Sequence, residues 1–118
     1  MNHQIKNKKL NLSSKHRKAF LRNQALHFIK FGKLETTLPR VKEVRRLVEK
    51  VVTIAKQGNL FNHRRKVLKM LPYDNEAVLK LFIEIAPNYI NRPGGYTRIN
   101  RLGVRINDTA VMGLLTWV

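Results

Sequence analysis

The sequence predicts an α+β fold in which about four helices pack on a small three-stranded sheet, preceded by a basic N-terminal arm. Three observations carry that prediction. Val41, Val44, Val48, Val51, Val52 and Ala55 recur at helical spacing, so one helix buries a continuous apolar stripe. Two late runs, residues 96–106 and 111–118, are apolar or alternating and are separated by the turn sequence Asn107-Asp108-Thr109-Ala110, which reads as a hairpin. Residues suited to starting or stopping helices, Ser13, Gly32, Pro39, Gly58, Pro72, Asp74 and Pro87, fall between the remaining periodic segments. No internal repeat or linker composition divides the 118 residues, so residues 13–118 are expected to form one domain behind an arm at 1–12.

Within the arm, Ile5, Leu10 and Leu12 are too scattered to define an element that could order itself. Ser13 or Ser14 can accept a hydrogen bond from the first turn of a helix carrying Leu21, Ala25, Phe28 and Ile29, and Gly32 ends it. Residues 33–38 alternate and include two threonines, which favours a strand. Thr37 is the expected cap of the long central helix, with Pro39 in its first turn and Gly58 as its stop. In that helix Arg45 or Arg46 can pair with Glu49. Residues 59–71 suit a shorter basic helix closed by Pro72. Asp74 caps a further helix with Val78, Leu81, Phe82 and Ile85 on its core face, ending at Pro87. Gly103 marks a bulge in the first strand of the hairpin.

Charge is the property that bears on function. Lys plus Arg number 24 against 7 Asp plus Glu, a formal net charge of +17, which implies a polyanionic partner and salt-sensitive association. Acidic residues are absent from 1–34, 50–73 and 85–107. One such gap is an ordinary solvated face; three in a small chain can be folded onto one broad surface that neutralises several phosphates. Candidate nucleic-acid contacts are therefore His3, Lys6, Lys8, Lys9 and Asn11 in the arm, and Lys15, His16, Arg17, Lys18 and Arg22 on the first helix. The central helix adds Arg40, Arg45 and Arg46, and the short basic helix adds His63, Arg64 and Arg65.

Arg92-Pro93-Gly94-Gly95-Tyr96-Thr97-Arg98-Ile99 sets a rigid turn and two unhindered backbone positions between guanidiniums, a loop suited to docking against phosphates. Arg92, Gly94, Gly95 and Arg98 are its candidate contacts, and Arg101 and Arg105 follow on the hairpin. Tyr96 is equally consistent with packing beneath the loop or with presenting its ring and hydroxyl to RNA. Phe20, Phe28, Phe31, Phe61, Phe82 and Trp117 are mostly at core spacing.

Other chemistry is poorly supported. With no cysteine, thiolate zinc sites, disulfides and cysteine nucleophiles are excluded, and His3, His16, His27 and His63 are too far apart for a familiar metal-ligand motif. His27 reads as a boundary residue of its helix. No cofactor and no small-molecule substrate are expected. The first nine residues lack the apolar segment of a secretory signal, and the longest late apolar stretch, ten residues, is too short to span a bilayer. A soluble cytoplasmic protein without a membrane partner is expected. A small basic ribonuclease using His16 or His63 is the alternative from another class, and a DNA-packing protein is a third.

Several motifs occur in one order: Lys8-Lys9-Leu10-Asn11, then Ser13-Ser14-Lys15-His16-Arg17-Lys18-Ala19, Thr36-Thr37-Leu38-Pro39 and Lys42-Glu43-Val44-Arg45-Arg46. Asn75-Glu76-Ala77-Val78, Lys80-Leu81-Phe82 and the glycine loop complete the series. Over nearly all of its length the chain resembles the bacterial family of large-subunit ribosomal protein seventeen. Asn2, Gln4, Ile5 and Leu12 depart from the family's more basic or polar arm and weaken its electrostatics. The resemblance implies a non-catalytic structural constituent of the large subunit, bacterial or organellar, that binds large-subunit ribosomal RNA beside neighbouring ribosomal proteins. It also implies a location toward the solvent side, near where the nascent chain leaves, and an arm ordered by RNA.

Overall fold

A computed structural model describes residues 13–72 and 74–118. The predicted arm, 1–12, lies outside the described residues, and with it His3, Lys6, Lys8, Lys9 and Asn11. Helix α1 spans Ser14–Phe31. Ser13 caps it as the sequence predicts, its hydroxyl accepting from the His16 amide at 3.3 Å, and Gly32 closes it at φ 79° with its amide on the Phe28 carbonyl. A side chain other than glycine would resist that left-handed turn.

Strand β1, Lys33–Thr37, leads directly into α2, Leu38–Ala55. Thr37 occupies the cap position, but its side chain makes no capping hydrogen bond; Pro39, which needs no donor there, supports the first turn instead. Val41, Val44, Val48, Val51, Val52 and Ala55 are all buried, as their spacing predicts. The helix stops at Ala55, three residues before Gly58, whose amide returns to the Ala55 carbonyl at 3.2 Å.

Helix α3, Phe61–Met70, is followed by α4, Asn75–Lys80. Asp74 caps α4 through the Glu76 and Ala77 amides at 3.0 and 3.2 Å. The same carboxylate meets Lys30 at 2.7 Å, and Lys80 donates to the Lys30 carbonyl at 2.8 Å, so the end of α1 is tied to the start of α4. The expected stop at Pro87 is not where the helical path ends. The backbone widens into a π-helical turn over Leu81–Ile85 and tightens into a 3-10 turn over Ala86–Tyr89 that contains Pro87. Proline offers no amide to the regular ladder, and the Asn88 side-chain amide donates to the Glu84 carbonyl at 3.1 Å.

Strands β2, Thr97–Val104, and β3, Val111–Trp117, form the predicted hairpin. All pairings are antiparallel in the order β1-β3-β2, so β1 returns to the last strand and not to its nearest neighbour in sequence. The register slips between Arg101 and Gly103, which places the bulge where Gly103 predicts it. One face of the sheet packs on the start of α2. A Cβ at Gly113 would lie 3.1 Å from Leu38 Cδ1, so the missing side chain is what lets helix and central strand approach. Phe28, Tyr89 and Trp117 close the other end of the core, with the Phe28 and Trp117 rings 4.5 Å apart.

Spacing misplaces two aromatics. Phe31 and Phe61 are exposed, while Phe28 and Phe82 are buried. Phe31 lies on the last turn of α1 beside His27, ring centroids 4.7 Å apart, and His27 is itself exposed, not at a boundary. Phe61 opens α3, where the buried contact is made by Val67.

Candidate nucleic-acid interface

The valine stripe decides which side chains of α2 reach solvent. With the stripe buried, Lys42, Arg46 and Lys50, four residues apart, are thrown onto the opposite face and stand as an exposed ridge. Arg46 lines a cleft on each side of that ridge. The first, about 520 Å³, runs between α1 and α2 and is lined by Arg17, Lys18, Arg46, Lys50 and the acidic Glu43 over an apolar floor of Leu21, Leu47 and Met70. The second, about 650 Å³, lies between α2 and the glycine loop and is lined by Lys42, Arg45, Arg46, Glu49, Gly95 and Ile99. Guanidinium and ammonium groups thus converge from α1 and α2, and Gly95 and Ile99 form the loop side of the second cleft.

Acidic groups in this region are held by the fold. Glu43 is nearly buried with Arg46 at 3.9 Å. Glu49 aims both carboxylate oxygens at the Tyr96 amide, 3.2 and 3.1 Å away, and so ties the glycine loop to α2. Arg45 reinforces the tie by donating to the Thr97 carbonyl at 3.4 Å. Lys56 adds a third, donating to the Arg92 carbonyl at 2.6 Å while its ammonium lies 5.2 Å above the Tyr96 ring.

Tyr96 packs beneath the loop, 1 % exposed, and this removes the alternative in which it presents its ring to RNA. Thr53 already donates to the Glu49 carbonyl, so the Tyr96 hydroxyl donates to Thr53 Oγ1 at 3.3 Å. Tyr89 meets Tyr96 edge-on at 5.3 Å and donates to the Val118 carbonyl at 3.0 Å, and burial raises its phenol pKa. Above this base, Gly94 and Gly95 have φ of 145° and 65°, and a Cβ on either would meet nothing within 4 Å. Their need for glycine is therefore conformational, and the space above them is open to a partner. Arg92 and Arg98 are exposed on either side.

The other candidates are dispersed. Lys15, His16 and Lys18 are exposed on the first turns of α1, with Arg17 and Arg22 partly covered. Arg40 is exposed, its guanidinium 5.0 Å over the Phe20 ring. Arg64 and Arg65 are exposed on α3. His63 is part of the scaffold: its Nδ1 donates to the Gly58 carbonyl at 2.9 Å and fixes the turn after α2. Arg101 is exposed on the hairpin. Arg105 is committed elsewhere, its guanidinium lying across the Asp108 carboxylate with Nε at 2.9 Å, which holds the Asp108 pKa down at about 2.

Sequence reading missed Lys42 and Lys50, although their spacing with Arg46 opposite the valine stripe marked them. It also missed the loop-bracing role of Glu49 and Lys56, which arises from contacts far apart in the chain. Among the described residues no helix is long and apolar enough to cross a membrane, and no group of histidines and carboxylates could hold a metal ion.

Comparison with known proteins bears on this surface. The family described as "Ribosomal protein L17" matches residues 20–118. The chain is similar to the "Large ribosomal subunit protein bL17" of Halothermothrix orenii, 49% identical over 111 residues that cover 94% of this chain and 96% of the relative. The proteins of the same name from Clostridium kluyveri and Clostridium novyi are each 47% identical with the same coverage.

Proposed function

We propose that this chain, which belongs to the ribosomal protein L17 family, is a structural constituent of the bacterial large ribosomal subunit that binds and stabilises large-subunit ribosomal RNA. The observation that carries the reading is the pair of clefts sharing Arg46, where Arg17, Lys18, Lys42, Arg45 and Lys50 converge beside a glycine loop with open space above it. Crowded RNA backbone repels itself, and a rigid array of cations placed against it releases counterions and lowers that cost. The mechanism is non-catalytic. The loop supplies close backbone approach, Arg92 and Arg98 clamp phosphates beside it, and the ridge of α2 positions the protein across adjacent strands.

Residues 13–118 act in this reading as one folded unit. The basic arm, through His3, Lys6, Lys8, Lys9 and Asn11, reaches between RNA helices and supports assembly and translation. The partners are large-subunit ribosomal RNA and neighbouring ribosomal proteins, in the cytoplasm. Titration of the purified protein with large-subunit RNA at several salt concentrations tests this. The logarithm of affinity should fall steeply and linearly with the logarithm of salt, with the RNA intact. A salt-independent affinity would remove the phosphate-binding reading, and specific RNA cleavage would replace it with a ribonuclease.

A further inference from the structure

The part of the hairpin beyond β1 is unlike the rest of the molecule. The last residue of β1, Thr37, pairs with Met112, so the Val104↔Val111 pair and the turn that follows stand clear of the third strand as a two-stranded ribbon. Cross-strand partners share a face, which puts Val104 and Val111 side by side at 60% and 41% exposure. Leu102, the extra residue at the bulge, is 47% exposed, and Ile106 in the turn is 95% exposed. Four aliphatic side chains are therefore presented to solvent at one end of the molecule.

The ribbon is also electrically spent. Between residues 102 and 113 the charged side chains are Arg105 and Asp108, and they are paired with each other in a fork across the turn. The Arg105 amide to the Ala110 carbonyl, the Thr109 amide to the Arg105 carbonyl and a Thr109 φ of 55° hold the turn in one shape. In a chain of formal charge +17 this is a locally neutral, apolar, preorganised tip. It has no free cation for a phosphate, and no aromatic residue lies between 101 and 116 to stack on a base.

We infer that the hairpin tip, through Leu102, Val104, Ile106 and Val111, docks into an apolar cleft on a protein neighbour within the particle. This rests on the chain residing in a large ribosomal subunit, but assigns the tip to protein where the α2 ridge is assigned to RNA. The internal charge pair serves that partner, because an unpaired Arg105 would have to be desolvated on docking. Exposed aliphatic groups at the end of a rigid ribbon fill a pocket with little entropic cost.

A photo-crosslinking amino acid placed at Ile106, and in a separate protein at Lys50, tests the inference in subunits reconstituted from purified components. Crosslinked peptides and nucleotides are identified by mass spectrometry. The expected result is a crosslink from 106 to a peptide of another ribosomal protein and from 50 to ribosomal RNA. A crosslink from 106 chiefly to RNA, or to a second copy of this chain, overturns the docking inference, as does none from 106 while 50 reacts with RNA. No RNA crosslink from 50 with a protein crosslink from 106 overturns the RNA reading and leaves the tip inference standing; failure at both positions overturns both. As a companion, Val104→Thr with Ile106→Thr keeps strand propensity. It should leave affinity for protein-free RNA within about twofold while lowering competitive incorporation into subunits by about tenfold. Equal incorporation would overturn the inference.

Discussion

The ridge of α2 and the tip of the hairpin both carry arginine, and they use it in opposite ways. On the ridge, Lys42, Arg46 and Lys50 stand exposed, while Glu49 is turned inward to hold the Tyr96 amide. At the tip, Arg105 is matched by a carboxylate three residues on, and the groups left for a partner are aliphatic. Net charge alone would give both regions to RNA. The closeness of pairing separates them: Arg46 stands 3.9 Å from the nearly buried Glu43, whereas the Arg105 guanidinium lies in two hydrogen bonds across Asp108 and must give up that fork before it can meet a phosphate.

Replacing Lys42, Arg46 and Lys50 together by glutamine is expected to have the largest effect. Each cation that touches a phosphate contributes about one unit to the salt slope, so the slope for large-subunit RNA should drop by about three units. Arg105→Gln should leave the slope unchanged. Equal slope changes in the two variants would break the distinction between the regions.

The next effect is at the loop. Gly94→Val or Gly95→Val forces a β-branched residue to positive φ at a cost of about 1–3 kcal/mol, although no neighbour obstructs the new side chain. The circular dichroism spectrum should stay close to that of the unchanged protein, while competitive incorporation into large subunits weakens. Normal incorporation would mean that the glycines serve the turn alone. Glu49→Gln is subtler. It exchanges a charged acceptor for a neutral one, so hydrogen exchange at the Tyr96 amide should speed up by about tenfold with the core amides unchanged.

The smallest effect separates the tip by pH. Asp108 has its pKa lowered to about 2 by Arg105, below the ordinary carboxylate value of 3.8. A depressed folded pKa stabilises the turn fully above the ordinary value, and that contribution is lost as pH falls toward 2. NMR shifts of Arg105 and Asp108 should therefore be constant at neutral pH and move only in strong acid. A midpoint near 4 would show that the fork is open in solution.

How far the chain could be read in advance depended on the distance over which each interaction acts. The valine stripe, the Ser13 and Asp74 caps, the Gly32 stop and the Gly103 bulge are local, and each stands where its residues predict. The strand order depends on β1 meeting β3 from the far end of the chain, and no local pattern encodes that. Pro87 looked like a stop because proline cannot join a regular helical ladder, yet wider and tighter turns carry the chain past it. Phe31 and Phe61 share the spacing of core residues, and spacing does not say which face a neighbour covers. At the interface the cationic residues were legible by type, whereas the bracing of the loop by Glu49, 47 residues from Tyr96, was not. The Arg105 and Asp108 fork spans three residues across a turn, so its spacing encodes it locally.

Because the chain contains no cysteine, a single one can be introduced as Lys50→Cys or Ile106→Cys to carry an iron chelate, which cleaves nearby RNA by locally generated radicals in reconstituted subunits. The account predicts strong, localised cleavage of large-subunit RNA from position 50 and weak cleavage from position 106. Strong cleavage from 106 with little from 50 would contradict it.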